Sequence, residues 1–108
     1  MRVVMVEVGR KACEMELEDS LASMQRAVGG LIQAVYEPGG RDAALICNDE
    51  GKLMGLPLNR ALRDENGEVY DAVAGTFLVV GLGEEDFASL TPELAQKYEQ
   101  LSISRKPF

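Results

Sequence analysis

The chain has 108 residues, enough for one domain (1–108) whose single core needs no disulfide or metal staple. It is 46% hydrophobic and 27% charged, with a net charge of −7 and neither histidine nor tryptophan, so an aliphatic core of Leu, Val, Ile, Ala and Met is expected. Excess acid argues against a basic nucleic-acid face, and the absence of histidine excludes histidine-ligated zinc and nucleophile–histidine dyads.

Residues 3–8 are short and β-rich, and Gly9-Arg10-Lys11 is a turn. Cys13, Met15 and Leu17 then alternate with Glu14, Glu16 and Glu18, the period of a half-buried strand. Strand, turn and strand predict an opening hairpin, with a glutamate row that also guards an edge. Asp19-Ser20 has N-cap chemistry. Leu21, Met24, Ala27 and Val28 follow at helical spacing, and Gly29-Gly30 ends that helix.

Residues 31–36 and 43–48 are predicted strands, antiparallel across the Glu37-Pro38-Gly39-Gly40 turn. Next comes the most unusual stretch, ICNDEGKLMGLPLNRAL (46–62). Asn48-Asp49-Glu50-Gly51 has turn chemistry, with Gly51 expected at positive φ. Pro57 restricts the following run to an edge segment or loop. Asn59 is expected to cap a short helical turn, Arg60-Ala61-Leu62, and Asp64-Glu65-Asn66-Gly67 to turn the chain again.

Residues 76–80 are apolar on both faces and belong at the centre of the sheet. Residues 84–89 form an acidic connector, with room for one helical turn. Thr91 as N-cap, Pro92 at the first helical position and Glu93 in the first turn open a last helix. Leu94, Tyr98 and Leu101 share its inner face, and residues 102–108 are expected to be a mobile tail. The pattern is α+β: one mixed or antiparallel sheet of about five strands with two helices. Its hairpin–helix–strand order resembles a β-grasp.

Cys13 and Cys47 lie in apolar runs without metal-ligand spacing, so both are expected to be buried, reduced thiols. Met5, Met15, Met24 and Met54 are expected to be core filler. The N-terminal apolar run breaks at Glu7, too short for a signal peptide, and no run of membrane-spanning length follows. These features predict a cytoplasmic domain with no membrane contact. The glycine pairs have the wrong surroundings for phosphate: Gly29-Gly30 follows a helix, and Gly81-Leu82-Gly83 runs into Glu84-Glu85-Asp86. The paired carboxylates fall in turn signals, where such groups are usually solvated. No catalytic residue, metal ligand or cofactor site is assigned, and an enzyme is the less favoured reading.

Asn48, Lys52, Asn59 and Arg60 remain as site residues, since together they could line a small polar pocket. The competing reading makes the asparagines turn caps and the two cations surface ion pairs. Three functions stay open. A non-catalytic binding or accessory module for a protein partner is preferred. A pocket for a small anionic ligand at Lys52, Asn59 and Arg60 comes second, and it requires those side chains to share one concavity. An acidic antagonist of a nucleic-acid-binding enzyme comes third. Self-association is compatible with all three.

Four blocks, AVGGLIQAVY (27–36), ICNDEGKLMGLPLNRAL (46–62), DAVAGTFLVVG (71–81) and DFASLTPELAQKY (86–98), resemble successive segments of the DUF3846 family, a small domain of unknown function. Members occur in bacteria, phages and mobile elements. The resemblance implies a link to mobile-element biology, in which small acidic proteins often bind host or defence components. The family has no established catalytic or binding residues to carry over. The resemblance does imply that Asn48, Gly51, Lys52, Pro57, Asn59 and Arg60 form one structural or binding unit.

Overall fold

The opening hairpin pairs β1 (Arg2–Val6) with β2 (Cys13–Glu16), Val3 opposite Met15 and Val4 opposite Glu14. The structure, a computed structural model, describes residues 1–36, 42–63, 66–84 and 86–104. The turn expected at 37–40, residues Asp64 and Glu65 of the second turn, and the end of the expected tail lie outside the described residues. Ser20 caps α1 (Leu21–Val28), its side chain accepting from the Ser23 N–H, and Gly29 closes the helix in the left-handed region. Strands β3 (Ile32–Tyr36) and β4 (Ala43–Asn48) come next, antiparallel with Ala34 opposite Ile46.

After the 49–57 turn come β5 (Leu58–Arg63), β6 (Val69–Ala74), β7 (Phe77–Leu82), β8 (Phe87–Ala88) and α2 (Pro92–Ser104). The main sheet runs β2-β1-β7-β4-β3, with β8 on β7, and every pair is antiparallel. The 76–80 run is thus central, as expected. Among the described residues eight strands form two sheets, where about five in one were expected, because the stretch read as an edge segment, a short helical turn and a further turn contributes the hairpin β5–β6. The β-grasp order of elements is present. However, β1 and β7 at the centre are antiparallel, where a β-grasp sheet pairs its first and last strands in parallel.

Both sheet faces are covered, which explains why β4 is buried along its whole length. Val3, Ala44, Ile46, Leu78 and Val80 pack against Met24 and Val28 of α1. On the opposite face Val4, Val6, Leu45, Phe77 and Val79 pack against Leu62 and Val73 of the small hairpin and Ala95 and Tyr98 of α2. Alternating side chains of β1, β4 and β7 therefore feed two separate apolar layers.

Several expectations are corrected. Cys13 is exposed while Cys47 is buried. The main contacts of α1 are with β3, β4 and β7, away from the end of that face where Cys13 lies. Met54 is exposed on a turn, whereas Met24 is buried. The 84–89 connector contributes strand β8 rather than a helical turn. Helix α2 continues through 104, so the first three residues of the expected tail are helical. The Leu94 N–H donates to Thr91 Oγ1 at 3.2 Å, the cap expected there.

Candidate functional site

Strand β4 ends at Asn48, whose side chain organises the turn after the strand. Its Oδ1 accepts from the Glu50 N–H at 2.8 Å, an Asx turn, and its Nδ2 donates to the Val28 carbonyl at the end of α1 at 3.2 Å. The Met54 N–H donates to Glu50 O (2.8 Å), Gly55 N–H to Lys52 O (3.2 Å) and Leu56 N–H to Gly51 O (3.0 Å). With Gly55 at φ +73° this is one helical turn closed by a Schellman motif. Residues 48–56 are thus held by their own backbone, with the tip side chains pointing outward.

Gly51 has no positive φ, contrary to expectation. Space is what selects glycine: a Cβ there would stand 2.9 Å from the Ala74 carbonyl oxygen. The turn packs its backbone directly on the end of β6. None of Leu53, Leu56 and Leu58, the leucines of this stretch, is fully buried. Leu53 is 90% exposed and Leu58 is exposed, while Leu56 is half-buried beside the Gly75 turn. Because the close Gly51–Ala74 contact is made by backbone, the leucines are left outside it.

Between this turn, β3, the end of β4 and β6 lies a half-open cleft of about 300 Å³. Gln33, Cys47, Lys52, Leu53, Asp71 and Val73 are among its walls. Across its rim Lys52 Nζ donates to Asp71 Oδ1 at 2.7 Å, and the Ala72 N–H donates to the same oxygen at 2.7 Å. The Lys52 hydrogen bond and then the Ala72 N–H hold the Asp71 carboxyl below the usual carboxylate range. The Cys47 thiol is pushed up, first by burial and then by Asp71 and Asp49, so it stays protonated at neutral pH. It is therefore a poor nucleophile.

Asn59 and Arg60 are elsewhere. The expected helical turn is strand β5, and its register against β6 shifts between Leu58 and Arg60, leaving Asn59 as a bulge residue. The bulge turns two consecutive side chains inward: Asn59 is fully buried and Arg60 is 4% exposed. Asn59 Nδ2 donates to Val6 O and to Gly75 O, both at 2.9 Å. Arg60 Nη1 donates to Asn59 Oδ1 (2.8 Å) and Asn59 O (3.0 Å), and Nη2 donates to Arg10 O (3.0 Å). Arg60 is therefore a buried cation, not the surface ion that the sequence suggests. Together the two side chains bind the β5–β6 hairpin to the end of β1, the turn after it and the Gly75 bend.

Of the four predicted site residues, Asn48 and Lys52 line the cleft, and Asn59 and Arg60 do not. Asp71 and Gln33 were not predicted as cleft residues. Each is separated in sequence from Lys52 by a turn and a strand, so no local spacing announces them. Among the described residues no three His, Cys, Asp or Glu side chains are grouped as metal ligands, and no helix is long and apolar enough to cross a membrane.

Fold and site together define an antiparallel α+β domain with a cleft walled by a self-braced turn. The chain belongs to the DUF3846 family, whose family model, described as a domain of unknown function, matches residues 1–102. No curated protein and no solved structure matches it.

Proposed function

We propose that this domain is a non-catalytic binding or accessory module whose 48–56 turn and adjoining cleft engage a protein partner. The observation that carries this reading is Leu53, 90% exposed at the cleft rim on a turn fixed by five local hydrogen bonds, those of Glu50, Gly51, Met54, Gly55 and Leu56. A rigid apolar side chain in water is unfavourable by itself and becomes favourable once covered. Exposed Met54 beside it adds a side chain that adapts to different contacts. The proposed setting is the cytoplasm of a bacterial host, with a host or defence component met by a mobile element as the partner.

A small anion in the same cleft is less well supported. Lys52 is already matched by Asp71, and Asn59 and Arg60 hold other bonds away from the cleft. An acidic antagonist role draws support from the exposed row Glu14, Glu16 and Glu18 on and beside β2.

The test is affinity purification from the native host with the wild type and a Leu53→Glu, Met54→Glu double variant, both first shown to be folded. A partner held by the wild type and lost by the variant supports the reading. Equal recovery of every bound protein by both forms overturns it.

A further inference from the structure

The two edges of the main sheet are finished differently. On β2 the ladder with β1 is set by the Leu17 N–H bond to Met1 O, so the backbone of Glu14 and Glu16 faces outward. That edge is guarded. The Glu14 N–H is taken by Glu99 Oε2 of α2 at 3.2 Å, and both glutamates place exposed charge along it.

Strand β3 forms the other edge and, among the described residues, pairs only with β4. The Asp49 N–H bonds Leu31 O at 2.8 Å, so the hydrogen-bonded pairs of this ladder continue at Gln33/Cys47 and Val35/Leu45. The N–H and C=O groups of Ile32, Ala34 and Tyr36 therefore point away from β4, and among the described residues nothing pairs with them. Residues 31–36 contain no charge and no proline. Leu31 and Tyr36 at the two ends are exposed, Tyr36 by 56%. Among the described residues this strand carries neither charge, proline nor a covering segment as edge protection.

We propose that β3 is a self-association edge, on which a second copy of this chain adds its own β3 antiparallel, centred on Ala34. The register argues for this occupant. Ala34 opposite Ala34 sets Ile32 against Tyr36 of the second copy and Tyr36 against its Ile32. Each of these is a hydrogen-bonded pair, so all the outward N–H and C=O groups of Ile32, Ala34 and Tyr36 in both copies are satisfied at once. The small residue falls on the two-fold axis, as an isologous contact requires. The two flanking pairs are aromatic against β-branched, a favourable cross-strand combination. Each chain carries −7, yet the seam itself is neutral, so two copies meet there without opposed like charges. The seam is short, so the dimer is weak and concentration-dependent.

Sedimentation from low micromolar to near-millimolar concentration tests this, together with amide hydrogen exchange at both ends of the range. The expected result is a mass rising toward twice the monomer, with added protection at the Ile32, Ala34 and Tyr36 amides. Ala34→Pro removes the central outward N–H, which the fold does not use, and Tyr36→Lys places a charge on the seam. Both variants are expected to remain monomeric. A wild type that stays monomeric throughout overturns the proposal, as does a dimer with no added protection at those amides. Dimerisation that persists in the folded variants also overturns it. If Ala34→Pro fails to fold by circular dichroism, the exposed Tyr36→Lys variant decides.

Discussion

The side-chain amide of Asn59 lies 2.9 Å from the carbonyl oxygen of Val6, although 53 residues separate them in the chain. This bond crosses from the small hairpin to the first strand of the main sheet. The same nitrogen also donates to Gly75 O, and the amide oxygen accepts from Arg60. Asn59→Ala would take this donor from the Val6 and Gly75 carbonyls and the amide oxygen from Arg60 Nη1, which keeps the Asn59 carbonyl as acceptor. A loss of about 2 to 3 kcal/mol in unfolding free energy is expected by urea titration, the desolvation cost of unpaired buried groups. A loss below about 0.5 kcal/mol would show that the hairpin is held by its apolar contacts alone.

Arg60→Ala should also be destabilising, by about 1.5 to 3 kcal/mol, because a buried guanidinium bonding carbonyl oxygens is lost along with its apolar stem. Burial by itself lowers the affinity of Arg60 for its proton, but from an ordinary value so high that it stays charged. Lys52→Ala, by contrast, removes an exposed ion pair and should cost about 0 to 1 kcal/mol. Parallel urea melts of the two variants separate the buried cation from the exposed one.

Gly51→Val should destabilise by about 1 to 3 kcal/mol through the collision of Cβ with the Ala74 carbonyl. The smaller Gly51→Ala already introduces that Cβ and should show part of the loss. Urea titration of the two variants checks this, and a loss below about 0.5 kcal/mol in both would show that the Ala74 carbonyl moves aside freely.

Asp71 should titrate below the normal aspartate range when followed by carbon-detected NMR. Its depressed folded-state value means that its stabilising contribution is complete above the unfolded value, about 3.9, and disappears as pH falls through the folded one. Lys52→Ala should raise the midpoint, since the Lys52 hydrogen bond is the leading cause. The Ala72 N–H remains, so part of the depression should persist. An unchanged midpoint in the variant would contradict the ion pair.

Under native conditions one thiol should react quickly with a disulfide reagent and one slowly. Cys13 is exposed, whereas Cys47 is buried and held protonated. Cys13→Ser should remove the fast phase and Cys47→Ser the slow one. Two equally slow thiols would mean that Cys13 is covered in solution.

Local chemistry in the sequence determined the elements whose ends it writes directly. Ser20 and Gly29 bound α1, Thr91 and Pro92 open the last helix, the glutamate alternation marks the guarded hairpin, and residues 76–80 read as central. Asn48 was legible as a turn former for the same reason, since its Asx bond reaches only two residues along the chain. Tertiary structure decided everything that depends on a distant partner. The bulge at Asn59 turns Asn59 and Arg60 both inward, which neither a helical nor an alternating pattern encodes. Gly51 is fixed by the Ala74 carbonyl, and Lys52 finds Asp71 across 19 residues. Whether Cys13 is covered depends on where α1 comes to rest. A sequence pattern reports the period and caps of one element, whereas burial, close approach and pairing are properties of two elements meeting.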